Sequence, residues 1–215
     1  MIAAVHGSHP GRAATAPQYD RGVCTRIFWN DNAIAKTVTR CMDWSVSDEP
    51  VLWFVPRGTE RRGGDDATAL TWTSRFASLA VSMWDSGTVD GLNDQGLAAH
   101  ALYLDPEDVR FAEPDDRPTV SNALWVQYLL DHYATVAEAV ADLDRVRITS
   151  PDFRGLQLGI HIAIEDATGD SAIIEPLGGR LVVHHGREFT VMSNSPTLDE
   201  QLANLARYRT DSYTV

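Results

Sequence analysis

Between residues 24 and 104 the chain is a succession of short strand-like runs with no helical segment between them, and that restricts the sheet it can build. The runs are CTRIFWN (24–30), TVTRCMDW (37–44), VLWFVP (51–56), ALTWTS (69–74), FASLAVSMW (76–84) and GLAAHALYL (96–104). Each has strand length and is rich in β-branched or aromatic residues. Parallel neighbours need a crossover of a dozen or more residues, usually a helix. The intervening PRGTERRGGDD instead carries the Gly pair and the charge of a loop. An antiparallel sheet is therefore expected.

The period changes in the middle. Within SNALWVQYLLDHYATVAEAVADLDRV (121–146), Leu124, Tyr128 and Leu129 share a face with His132 and Tyr133. Thr135 and Glu138 form a T-x-x-E capping box, so a second helix starts there, with Val136, Ala139, Val140 and Leu143 as its apolar stripe. Strands return at LGIHIAIED (158–166), DSAIIEP (170–176), RLVVHH (180–185) and EFTVMSN (188–194). SPTLDEQLANLARY (195–208) then places Leu198, Leu202 and Leu205 at helical spacing. Strands, helices and strands again predict an α+β layered domain.

With a formal net charge of -12, the surface repels phosphate backbones and anionic lipid, which argues against nucleic-acid and membrane partners. No apolar run approaches the roughly 20 residues of a membrane span. Residues 1–23 lack the apolar core of about 7–15 residues that a secretory signal needs, which leaves a cytoplasmic location as the default. They are rich in Gly, Ala and Pro without a structural period, and read as a leader. Two cysteines exclude a disulfide scaffold. Cys41, inside a strand-like run, reads as structural. Cys24 lies where the leader stops and the ordered pattern begins.

A cysteine that becomes the first residue of a chain gains a base, because its own α-amino group, with a pKa of about 7.7–8.0, can take the thiol proton. This requires cleavage between Val23 and Cys24, which the thiol can perform itself by attacking the Val23 carbonyl. Arg40 is a candidate cation beside the sulfur, Asp43 a candidate carboxylate for the amino group, and Asn93 and Asn194 candidate donors to an oxyanion. Taken alone, each reads more simply as a surface charge or a turn former.

CTR at a strand head, RCMDW, DGLNDQGLAAHALYL, DSAIIEP and VMSNSPTLDEQLANL together resemble the choloylglycine hydrolase family, which includes bile salt hydrolases, penicillin V acylases and acyl-homoserine-lactone acylases. RGGDD, LTWTS and HH bring the likeness closest to the penicillin V acylase branch. The resemblance implies a four-layer αββα sandwich of N-terminal-nucleophile type that is C-terminally incomplete, with residues 1–23 removed and 24–215 forming a partial hydrolase domain. It implies Cys24 as nucleophile, Arg40 beside it, Asp43 on the amino group, and Asn93 and Asn194 in the oxyanion and SNSP positions. Trp44 matches an aromatic residue of the acyl pocket, and Tyr103 stands where that branch commonly has Trp. Trp84 is a further candidate for the pocket. The resemblance covers about two-thirds of a family domain. The remaining third supplies strands and another active-site arginine in relatives.

The expected activity is hydrolysis of a linear amide of a small acylated molecule: penicillin V, an N-acyl-homoserine lactone or a conjugated bile salt. No cofactor or metal is implied. Relatives lean towards tetramers. Two rival readings are a Cys–His hydrolase using His100 or His161, and a truncated, inactive binding protein. The adjacent His184 and His185 point to opposite faces of a strand, which disfavours a shared metal ion.

Overall fold

A computed structural model describes residues 23–43, 47–152 and 158–208. Seven strands form the main sheet in the order β13-β12-β11-β8-β7-β6-β3, antiparallel throughout. They are β3 (Val51–Val55), β6 (Ser78–Met83), β7 (Gly87–Asn93), β8 (Ala98–Tyr103), β11 (Ile160–Glu165), β12 (Ser171–Leu177) and β13 (Arg180–His185). A three-stranded sheet, β14-β1-β2, comprises β1 (Val23–Trp29), β2 (Thr37–Asp43) and β14 (Val191–Ser193), again antiparallel. Two short pairs complete the strands. β4 (Glu60–Arg62) pairs with β5 (Thr71–Thr73), and β9 (Thr119–Ser121) runs parallel to β10 (Arg147–Thr149), which the antiparallel expectation did not include.

The helices fall where the period predicted them, except that the second ends early and leaves Leu143 in a following 3-10 turn, Leu143–Arg145. α1 (Asn122–His132) is capped by the Ser121 hydroxyl, which accepts from the Ala123 amide. α2 (Val136–Ala141) starts at Thr135, whose hydroxyl accepts from the Glu138 amide, while the Glu138 carboxylate reaches back to the Ala134 amide. α3 (Leu198–Ala206) follows β14. No helix among the described residues is long and apolar enough to cross a membrane.

Alternation along the central strands sends side chains to two different layers. Ala99, Ala101, Ile162, Ile164, Ala172 and Ile174 face α1 and α2, packing on Trp125, Val126, Leu129 and Val136 in a dry core. The opposite row meets the three-stranded sheet, where Leu102, Ala163 and Ile173 pack on Cys24, Met192 and Leu198. Three layers, helices on sheet on sheet, are thus filled. α3 buries Leu198 alone. Three strands do not cover seven: Leu52, Phe54, Leu79 and Leu92, on β3, β6 and β7, are about half or more exposed.

Candidate active site

Cys24 is the second residue of β1 and is 2% exposed, held between the two sheets. Its strand neighbours determine what surrounds the sulfur. β2 pairs Cys24 with Met42 and Arg26 with Arg40, so Arg40 lies on the same face two residues along. Burial raises the pKa of the thiol above its ordinary value. The charge of Arg40, a hydrogen bond from the Tyr103 main chain and one from the Arg40 side chain pull the other way without cancelling the rise. Cys41 is exposed, and neither cysteine is bridged.

Arg40 is itself fixed at two points. One guanidinium nitrogen pairs with Asp90 of β7, and Nη2 donates to the Ala101 carbonyl of β8 at 2.8 Å. Asp43 closes β2 opposite Val23, which places it beside the peptide that would have to be cut. On the other flank of β1, Thr25 pairs with Ser193, so the antiparallel register carries Asn194 to the level of Cys24. The segment after Asn194 is tied down by three contacts. The Asn194 carbonyl accepts from Gln201 at 2.6 Å, the Ser195 hydroxyl accepts from the Asp105 amide at 2.7 Å, and Glu175 accepts from the Leu198 amide at 3.1 and 3.2 Å.

The structure does not bring Asn93 to this group. Its Nδ2 donates to the carbonyls of Leu130 and Tyr133 at 2.9 and 2.8 Å, and its Oδ1 accepts from the amides of Gln95 and Leu97 at 3.0 Å each. A side-chain amide has two donors and two acceptor positions, so none is left for an oxyanion. Asn93 also stands at the far end of β8 from Tyr103, roughly 20 Å away along an extended strand. Its task here is to tie the C-terminal end of α1 to the β7–β8 turn. The main chain of Tyr103, which sequence reasoning did not consider, lies close enough to Cys24 to lower the pKa of its thiol. A main-chain group leaves no residue-type signal.

Trp84 occupies the β6–β7 hairpin with Asp85, both at positive φ (50° and 51°), in a turn closed by Ser86 N–H donating to the Met83 carbonyl at 3.0 Å. It borders a cavity of about 520 Å³ whose wall also includes Met83, Leu124, Ile160 and Ala101. Its Ala101 belongs to the row facing α1, while the Ala101 carbonyl holds Arg40. Trp44 lies outside the described residues.

A buried row of charges extends from Arg40 through the inter-sheet layer. Asp90 also meets His100 Nδ1 at 2.6 Å, His100 Nε2 meets Glu165 at 2.6 Å, and Glu165 pairs with the fully buried Arg26. Burial works against charge on His100, but Glu165 and Asp90 outweigh it and lift its pKa to about 9. Burial also penalises the Glu165 carboxylate, yet His100 and Arg26 hold its pKa below the ordinary value. With both nitrogens engaged by carboxylates, His100 is not available as the base of a Cys–His pair. His161 Nδ1 faces Glu175 at 3.3 Å. His184 turns to Glu175 and His185 to Asp170, on opposite faces of β13.

Residues 24–214 match the linear amide C–N hydrolases of the choloylglycine hydrolase family. The chain belongs to that family. It is 38% identical over 191 residues to a penicillin V acylase of Pectobacterium atrosepticum, a match covering 83% of this chain and 51% of that protein. A bile salt hydrolase/transferase of Clostridium perfringens is 28% identical over 176 residues, 79% of this chain and 52% of the relative. Among solved structures, the penicillin V acylase of Agrobacterium tumefaciens superposes with a TM-score of 0.78 at 40% identity, covering 86% of this chain and 56% of that one. A conjugated bile acid hydrolase variant from Clostridium perfringens, at 24% identity, shares the fold with a TM-score of 0.74. The α+β architecture is the αββα sandwich of these hydrolases in partial form. The chain spans about half the length of the curated relatives it matches, less than the two-thirds expected from the motifs.

Proposed function

We propose that this chain hydrolyses a linear, non-peptide amide of an acylated small molecule through Cys24, after loss of residues 1–23. The observation that carries the reading is the setting of the Cys24 thiol: buried at the head of β1, with Arg40 on the same face of the adjoining strand, it stands at the residue where the family match begins.

In this mechanism the Cys24 sulfur first attacks the Val23 carbonyl. The N-terminal peptide becomes a thioester, and water opens it, releasing residues 1–23 as a carboxylic acid. The freed α-amino group, held by Asp43, takes the thiol proton. The thiolate attacks the substrate carbonyl carbon, and the Tyr103 amide and Asn194 donate to the oxyanion. Breakdown of the tetrahedral adduct returns the proton to the leaving amine and leaves an acyl thioester. Water hydrolyses that to the acid and restores the thiol.

Trp84, Tyr103 and Trp44 are proposed as the aromatic contacts of the acyl group. Penicillin V, an N-acyl-homoserine lactone and a conjugated bile salt are the substrates to assay, and a tetramer is the assembly to test by light scattering. Intact-mass measurement gives the primary test. Wild type is expected to lose residues 1–23 and Cys24→Ala to keep them. A folded wild-type chain that retains its leader and cleaves none of the three amides would overturn the proposal.

A further inference from the structure

His100 lies between two carboxylates, with Nδ1 2.6 Å from Asp90 and Nε2 2.6 Å from Glu165. Ionised carboxylates only accept hydrogen bonds, so both contacts require a proton on both ring nitrogens, which makes the ring an imidazolium. The second oxygen of Asp90 holds Arg40, and the second oxygen of Glu165 holds Arg26. Five buried or part-buried groups therefore form one row with three cations and two anions. The surplus is one positive charge, and the β1–β2 register sets Arg40, the end of the row, on the face that carries Cys24, where its charge favours the thiolate. Conversion of the thiol to thiolate brings the whole set to neutrality. If the ring were neutral, the row would already balance, and the thiolate would be the uncompensated charge in a poorly screened layer.

We propose that His100 is a positioning residue for the nucleophile: bridging Asp90 and Glu165, it fixes Arg40 on Cys24 and supplies the surplus positive charge that the Cys24 thiolate neutralises. The proposal rests on the reading of Cys24 as nucleophile. Other charged groups near the row are committed elsewhere. Lys36 Nζ donates to the carbonyls of Asn30 and Asn32, and Asp166 accepts from Val136 and Thr168. The exposed Cys41 also acts on the Cys24 charge.

The test titrates the thiol directly. Thiolate absorbance of Cys41→Ser is followed against pH, with Cys41→Ser/Cys24→Ala subtracted to remove tyrosine ionisation. His100→Gln is expected to move the Cys24 midpoint up by about one pH unit, roughly a tenfold loss of thiolate at neutral pH. His100→Lys, which restores a cation between the carboxylates, is expected to return it towards the parent. A folded His100→Gln with the parent midpoint overturns the proposal, as does a Lys variant that titrates like Gln. Should His100→Gln fail to fold, nitrogen NMR of the parent's imidazoles decides, because a neutral His100 ring at neutral pH overturns the proposal without any substitution. Leader loss and amide cleavage read Cys24 as nucleophile, whereas the thiol midpoint reads its coupling to His100, so the two can fail separately.

Discussion

Asn93→Ala separates a structural from a catalytic asparagine, and the hydrogen bonds give the size of the effect. The substitution leaves the Leu130 and Tyr133 carbonyls and the Gln95 and Leu97 amides without their partner, at a site 4% exposed. At about 1 kcal/mol for each bond, with part recovered by relaxation or water, the loss is roughly 2–4 kcal/mol. In a chain of this size that lowers Tm by roughly 5–15 °C. Urea denaturation with a thermal scan reads the stability, and intact mass at low temperature, where the variant is still folded, reads leader removal. The expected result is a large stability loss with leader removal continuing in the folded fraction. A variant as stable as wild type that no longer processes or turns over would refute the assignment and return Asn93 to the oxyanion.

The pKa of His100, raised to about 9 from 6.5, makes its proton a stabilising ligand of the fold. That contribution is complete below about pH 6.5 and is lost as pH rises through about 9, up to about 3 kcal/mol, and His100→Gln should flatten the decline in urea midpoint. Arg26→Met leaves Glu165 buried with only His100 to balance it, and a loss of about 3–5 kcal/mol in urea denaturation is expected. Gly91→Ala places a Cβ 2.4 Å from Leu130 Cδ1 and 2.9 Å from the Leu79 carbonyl, so the Leu130 side chain must turn aside and the β6–β7 backbone must give. A cost of about 1–3 kcal/mol in the same assay checks it.

Local chemistry made much of this molecule legible. The Thr135–Glu138 box placed α2, and the four strand-like runs after residue 158 became β11 to β14, because each signal lies within a few residues. DGLNDQGL was less transparent. It reads as a turn, yet its first four residues close β7, and Gly91 is there because the Leu130 side chain of α1 occupies the space of a Cβ. In the site, Cys24, Arg40 and Asp43 fall together because β1 and β2 are consecutive strands whose register follows from one connection. The Asn93 assignment failed because the identity of a polar residue does not say which groups it already bonds. The sequence offers His100 only as the base of a rival Cys–His pair, since Glu165, 65 residues away, carries half of its meaning.

The two faces of the main sheet show why that meaning matters. Towards α1 and α2 the central strands present Ala and Ile in a dry core, which supplies the ordinary stabilisation of a layered domain. Towards the second sheet, the same strands carry His100, His161, Glu165 and Glu175, with Arg26 opposite. Ion pairs buried this deeply lose in desolvation much of what they gain in attraction, so apolar side chains would serve stability at least as well there. The fold nevertheless seats the charges on the one face that also holds Cys24. Cys24 shares its small apolar cluster with Leu102, Ala163 and Ile173, whose strands carry His100 and Glu165 to one side and His161 and Glu175 to the other. In the helix layer the buried Asp131 of α1 is answered by Arg61 alone, whereas the central strands gather a connected set of buried charges in the layer of the thiol, where it can stabilise a thiolate.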